Sequence, residues 1–462
     1  MLLGPVAGKR SLASGAIKPA GEPGTSPAVP SNPKSHANIL NSLFGHWYVK
    51  AASHSEIQML PPSISSGPSD LQASARRIPT CVHKVAVASL FVVDTIFSAR
   101  LHRIVDNWAI QPLLLSTFLI VVLFYTGLIW IERAVLPLLL TMIGAGLFVF
   151  AVINFSLISG FPISLTTAFQ FVPIMTFGVF FIMSRYNLGD YAMRVLLICA
   201  TTYTVLYVLL GAFYVMNFLP QALLQPLLSV DAERGERLYC HSTMSAFAWF
   251  YWLHNFRLER NAMAAILSGL CFLAIVLTLS RVFIMCVSLI TLLYMVRAPA
   301  PMIRYISLCI LGGTSATFLY GFANLSYNPF AALSGDSSGG ARAISYDLAR
   351  SFLLENPLLG VGVNATDYEM NFVTGNAYFF PSDLGSLGIW FNFGLLGFFL
   401  FMVVAYQACK PILTIASRYS LALFLTGSML AMNGCISPNL VVGSGAIYGA
   451  VLIGFRLNQV AA

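Results

Sequence analysis

Read from residue 109 onward, the chain alternates long apolar stretches with short polar turns. Eleven stretches stand out: 109–131, 134–156, 163–184, 192–216, 242–256, 261–280, 282–296, 303–322, 386–407, 419–435 and 440–457. Most approach the ~20 residues that a helix needs to cross ~30 Å of hydrocarbon. Residues 85–99 (VAVASLFVVDTIFSA) form a twelfth, shorter candidate with Asp94 in its middle, either a span or a helix lying in the membrane interface. The expected fold is therefore all-α: a polytopic membrane bundle of about twelve helices, with the transmembrane domain over residues 85–457.

The turns carry the orientation. With the C-terminus inside, Arg133, Arg185, Arg194, Arg257, Arg260, Arg297, Arg304, Lys410, Arg418 and Arg456 all fall on cytoplasmic turns, as basic residues prefer. Arg76, Arg77 and Lys84 join them only if residues 85–99 cross, which favours twelve spans with both termini cytoplasmic. The outer turns are then short except for 217–241 and a large loop at 323–385. The same parity leaves Arg234, Arg237, Arg281, Arg342 and Arg350 outside, together with Arg100 and Arg103, and these exceptions need a reason.

Composition agrees with the pattern: 58% of residues are hydrophobic and 9% charged, against roughly 25% charged in soluble domains. Residues 1–80 differ, being rich in Gly, Pro, Ser and Ala (GEPGTSPAVPSNPKS, PPSISSGPSD), and are expected to be a disordered tail. No apolar core follows the initial Met-Leu-Leu closely enough for a signal peptide. The segment is either a cytoplasmic tail or part of an over-long reading frame that truly starts at Met59.

A net charge of +8 does not make a nucleic-acid binder here, because the basic residues are dispersed between spans with no stripe. The eight cysteines show no CxxC spacing and mostly fall in or beside apolar spans, so they read as small buried side chains. Five of the seven histidines precede the first strong span, leaving His241 and His254. No metal centre and no cofactor is expected. There is no Walker A loop, no Ser-His-Asp order and no DxD outside the membrane portion, which excludes ATP and nucleotide sugars as the energy source.

Within the large loop, Ala341 to Leu354 has helical spacing, with Arg342 and Arg350 eight residues apart, about two turns, so both guanidinium groups can share one face. Asn356-Pro357 ends that helix, and LLGVGVN permits a tight backbone return. The run ENPLLGVGVN, followed by SDLGSLGIWFNFGLLGFFLF, resembles the signature of the O-antigen ligase and polymerase superfamily. LTLSRVFIMCVSLITLLY at 277–294 is similar to its Ser-Arg at the outer end of a span. RGERLYCHSTMSAFAWFYW at 234–252 looks like its Arg-containing loop before another span. The resemblance covers roughly residues 109–457. Ligases of this family usually carry His-Asn in the large loop, whereas this chain has Asn376-Ala377-Tyr378 and Ser382-Asp383, closer to the polymerases.

What the resemblance implies is a GT-C-like, metal-independent glycosyltransferase of a bacterial inner membrane. Such an enzyme lengthens exopolysaccharide or O-antigen by moving saccharide from polyprenyl pyrophosphate onto another lipid-linked repeat unit. A flippase and a chain-length co-polymerase would be its partners. Pyrophosphate needs fixed cations, and arginine's planar fork suits phosphate oxygens. Arg281, at a membrane edge, is the leading candidate, with Arg237, Arg342 and Arg350 beside it. The base that takes the acceptor's proton is expected among Asp383, Glu369 and His241; Asp383 could instead cap the following helix. Two rival functions remain: a ligase delivering finished glycan to a lipid or protein, and a flippase or other transporter, which would place charges at mid-bilayer and show repeated halves.

Overall fold

The computed structural model describes residues 78–104, 109–162, 171–216, 218, 225–231, 235–331, 335, 337–363, 367–376 and 379–461. Each of the twelve apolar stretches contains a helix among its described residues. In chain order the helices are α1 (Thr80–Ser98), α2 (Ile110–Ile131), α3 (Val135–Ser159), α4 (Phe177–Arg185), α5 (Gly189–Val215), α6 (Ser242–Glu259), α7 (Ala262–Leu277), α8 (Arg281–Met295) and α9 (Ala300–Ala323). Two helices of the large loop follow, α10 (Ser337–Glu355) and α11 (Asp367–Thr374). The chain closes with α12 (Ser386–Ala408), α13 (Ser417–Asn433) and α14 (Ala446–Ala461). The expected disorder of residues 1–80 falls almost wholly outside the described residues; Thr80 itself already begins α1.

The expectation of twelve spans meets a narrower result. Six helices are long and apolar enough to cross a bilayer unaided: α1, α2, α3, α5, α9 and α12. α4, α7, α8, α11, α13 and α14 are shorter, whereas α6 and α10 reach 18 and 19 residues but are not apolar enough. α8, at 15 residues, extends about 22 Å at 1.5 Å per residue, less than the ~30 Å hydrocarbon core. α1 starts five residues before the expected segment and reaches full spanning length.

Local chemistry sets the boundaries. Asn261 caps α7 by accepting the Met263 N–H at 2.9 Å, and Arg260 takes a left-handed conformation (φ 49°) to turn α6 into α7. Pro299 precedes α9, and its absent N–H costs nothing at a helix start. One departure from the all-helical expectation is a two-stranded antiparallel pair, β1 (Leu228–Asp231) with β2 (Gly235–Leu238), before α6.

Most described helices share one apolar core. α6 packs on α5, α7 and α13, and α14 packs on α4. Basic turns gather at one end of the bundle: Arg185 Nε lies 3.1 Å from Glu132 Oε2, Arg418 Nη1 lies 2.6 Å from Glu259 Oε1, and Asn458 bonds Ser184 at 3.1 Å.

The large loop folds at the other end around a second apolar cluster, in which Tyr346 and Leu353 of α10, Val361, Met370 and Phe379 meet Phe318 of α9 and Trp390 and Phe391 of α12. Its Gly-rich run is a latch. α12 kinks at Gly394 (φ 68°, ψ −171°), which leaves backbone groups of the helix without their usual partners. The loop supplies them: Val361 N–H donates to Phe391 O at 2.7 Å, and Leu358 O accepts from Leu395 N–H at 3.2 Å. Val363 N–H donates to Ala151 O of α3, and Asn154 Nδ2 donates to Gly360 O. A Cβ on Gly360 would stand 2.5 Å from Phe391 O, so the approach requires glycine.

Candidate active site

Three of the residues singled out by sequence line one cavity of about 300 Å³: Arg281, Arg342 and Asp383. It lies at the end of the bundle where α6, α8 and α10 begin, opposite the basic turns. Ser242, Ser280, Phe283, Phe330, Gly339, Asn433, Ser437 and Asn439 complete most of its wall.

Each element arrives there for a local reason. The chain leaves α7 through Thr278 and Leu279, the latter left-handed at φ 53°. Thr278 Oγ1 accepts the Ser280 N–H at 3.2 Å, and Arg281 is the first residue of α8. Arg281 is exposed and Arg342 half-buried. Asp383 closes a short 3-10 turn, Pro381–Asp383, and is exposed.

That turn is anchored. Gly385 (φ 56°) donates its N–H to Ile436 O at 2.8 Å, and Ser386 N–H donates to Gly434 O at 3.0 Å. A Cβ on Gly385 would press into Gly434 O and Cys435 O. The Ser-Asp-Leu-Gly run is therefore fixed against the connection from α13 to α14, and Ser315 and Ser386 hydroxyls meet at 2.9 Å inside the bundle.

The same connection delivers residues that sequence reading passed over. Asn433 is buried at the end of α13, and Ser437 Oγ donates to Asn439 Oδ1 at 2.8 Å. The available signal was the polar run NGCISPN between two apolar stretches. Its residues become cavity walls only through pairing with Gly385 and Ser386, which no local pattern reveals.

The cavity's electrostatics favour an anion. Two guanidinium groups face one carboxylate, and the N-terminal ends of α6, α8 and α10 contribute Ser242, Arg281 and Gly339. Unpaired N–H groups and the positive end of the helix dipole concentrate at such ends.

The remaining sequence candidates sit elsewhere. Eight residues turn a helix by about 80° beyond two full turns, so Arg350 diverges from Arg342. Its Nη1 donates to Gly321 O at 3.2 Å and Tyr327 O at 3.1 Å, and its Nη2 lies 2.8 Å from Asp347 Oδ1. It ties α10 to the end of α9. His241 immediately precedes Ser242 but is fully buried, with Nε2 3.6 Å from Asp94 Oδ2, itself 1% exposed. Asp94 Oδ1 accepts from Ser98 Oγ at 3.2 Å, and the His241 N–H donates to the Tyr203 hydroxyl at 2.6 Å. The mid-helix carboxyl group of α1 thus faces a histidine inside the bundle. Arg237 lies on β2 opposite Ser229, and Glu369 lies on α11; both side chains are outside the described residues.

No curated protein and no solved structure matches the chain significantly. A family match covers residues 265–402, from within α7 to within α12, and so includes Arg281, Arg342 and Asp383 but not Ser242 or the Asn433–Asn439 connection. Together with the apolar helices it supports a multi-pass inner-membrane protein. The matched family is Wzy_C, O-antigen ligase, which the chain resembles over that stretch, in keeping with the O-antigen ligase and polymerase superfamily.

Proposed function

We propose that this chain is a polysaccharide polymerase that joins polyprenyl-pyrophosphate-linked repeat units at the periplasmic face of the inner membrane. The observation that carries the reading is the shared cavity of Arg281, Arg342 and Asp383. The acceptor's sugar hydroxyl attacks the anomeric carbon of the donor saccharide; the bond from that carbon to the phosphate oxygen breaks, with inversion. Charge builds on the departing pyrophosphate, and Arg281 and Arg342 stand where it develops, in place of a divalent ion. Removing one such fixed donor slows comparable reactions by about 10²–10³-fold. The acceptor proton passes to Asp383, while Asn433, Ser437 and Asn439 bind sugar hydroxyls.

The orientation follows the basic turns, which lie at the opposite end of the bundle and face the cytoplasm. A ligase is the second reading, favoured by the description of the matched family, O-antigen ligase. It would use the same donor and the same arginines with a different acceptor.

The test is the size distribution of polysaccharide in cells whose only copy carries Arg281→Ala, with membrane abundance of the variant checked alongside. The polymerase reading expects long polymer to vanish while single lipid-linked repeats accumulate on the outer leaflet. Long polymer left unattached to its final acceptor would establish the ligase instead. Persistence of attached long polymer, or repeats trapped on the inner leaflet, would refute both and favour a transporter.

A further inference from the structure

A second cavity of about 320 Å³ runs between α3, α12 and α14, with walls that are almost wholly apolar. Its upper part is bounded by Ile389 and Phe393, two turns or less into α12, and its rim carries the exposed Leu136, Val403 and Val460. Its lower part ends at Gln407 and Arg456, at the end of the bundle away from Arg281 and Asp383.

Three cations meet there. Lys410 Nζ and the Arg304 guanidinium both lie over the Tyr406 ring, at 4.2 Å and 4.4 Å from its centroid, and Arg304 acts electrostatically on Arg456. Arg456 Nη1 donates to Pro411 O at 3.2 Å and to Gln459 Oε1 at 2.7 Å. The Nε atoms of Arg304 and Arg456 are buried with no hydrogen-bond partner, and none of the described ion pairs involves any of the three cations. A basic turn needs only scattered charge to set topology. Three cations gathered at one place, two with buried donors unsatisfied, call for an anion that none of the described ion pairs provides.

We propose that this groove is a binding site for an anionic glycerophospholipid of the leaflet on that side, with its phosphate among Arg304, Lys410 and Arg456 and one acyl chain along the groove. The charge selects the lipid class: a zwitterionic headgroup adds a cation to a place that already holds three, whereas phosphatidylglycerol neutralises one. The site stands apart from the proposed glycosyl transfer and does not depend on it.

The test titrates phosphatidylglycerol into the purified full-length protein in phosphatidylcholine nanodiscs, counting retained lipids by native mass spectrometry. At least ten-fold preference for phosphatidylglycerol over phosphatidylcholine is expected. Arg304→Gln with Arg456→Gln should reduce that preference to near unity. Gly144→Phe should abolish retention without touching the charges: Gly144 lines the groove, and a Cβ there meets nothing within 4 Å. Because its Cβ meets no neighbour and the charges are untouched, that variant keeps the test decisive should the double arginine variant fold poorly. Equal retention of the two lipids, or a preference that survives Gly144→Phe, overturns the proposal. So does retention of undecaprenyl phosphate in place of phosphatidylglycerol, or phosphatidylglycerol binding that begins only once residues 1–77 are removed.

Discussion

Replacing Gly394 by alanine should loosen the large loop without unfolding the helix that carries it. At φ 68° and ψ −171° Gly394 occupies a region open essentially to glycine alone, and forcing an L-residue there costs on the order of 1–3 kcal/mol. The added Cβ would also press into Leu358 O, the acceptor of the Leu395 N–H. α12 can escape the strain by straightening, but Phe391 O and Leu395 N then return to the helix and the bonds to Val361 and Leu358 are lost. The pair is worth about 1–3 kcal/mol. Either route weakens loop docking by about 2 kcal/mol, on the order of 30-fold in local opening. Amide exchange in nanodiscs reads this directly: residues 353–363 should exchange tens of times faster, while α6 and α13 keep their protection. Gly269→Ala, in α7 where a Cβ meets nothing within 4 Å, is the control and should change little. Unaltered exchange over 353–363 in the Gly394 variant would refute the latch.

Three further outcomes follow from the site's geometry. Asp383→Asn keeps the 3-10 turn and its anchoring but removes the proton acceptor, so repeat-unit transfer should fall about 10²–10⁴-fold at unchanged membrane abundance; near-normal polymer would exclude Asp383 as the base. Arg350→Ala removes ties to Gly321 O and Tyr327 O and should destabilise the loop by about 1–3 kcal/mol, seen as faster proteolysis, with transfer per folded molecule retained. Asp94→Leu and His241→Leu each leave one polar side chain of the buried 3.6 Å pair facing a leucine and should each cost about 1–3 kcal/mol, whereas the double variant recovers part of the loss in thermal unfolding. Loss of transfer in His241→Leu at full abundance would instead give His241 a direct part in the chemistry.

How much of this was legible beforehand divides by the range of the interaction. Apolar runs of 15 or more residues located every described helix of the bundle, because a chain in hydrocarbon must satisfy its backbone bonds within the segment. Asn356-Pro357 ended α10 where expected, at Glu355, and the glycines of LLGVGVN turned the backbone as their freedom allows. What they turned towards, a kink in α12 more than thirty residues later, was not encoded locally. Neither was the shared cavity: Arg281, Arg342 and Asp383 were identifiable one by one, since charge at a membrane edge is costly. Arg350 carried the same signal as Arg342 and differed only by about 80° around one helix. Asp94 looked like an obstacle to a span until His241, nearly 150 residues away, proved to be its partner.

Arg281 itself offers the strictest check on the anion reading, because its cation stands at the start of a helix. It opens α8, where the helix dipole presents positive charge, and a cation there costs roughly 0.3–1 kcal/mol. Arg342 lies near enough to line the same cavity and adds to the repulsion. Arg281→Ala should therefore leave the unfolding temperature of the ligand-free protein unchanged or slightly raised. The stabilisation that wild-type protein gains from geranyl pyrophosphate should fall by at least ten-fold in apparent affinity. An unfolding temperature several degrees lower without ligand, combined with undiminished stabilisation by the pyrophosphate, would make Arg281 a strut of the helix end and leave the cavity without its defining cation.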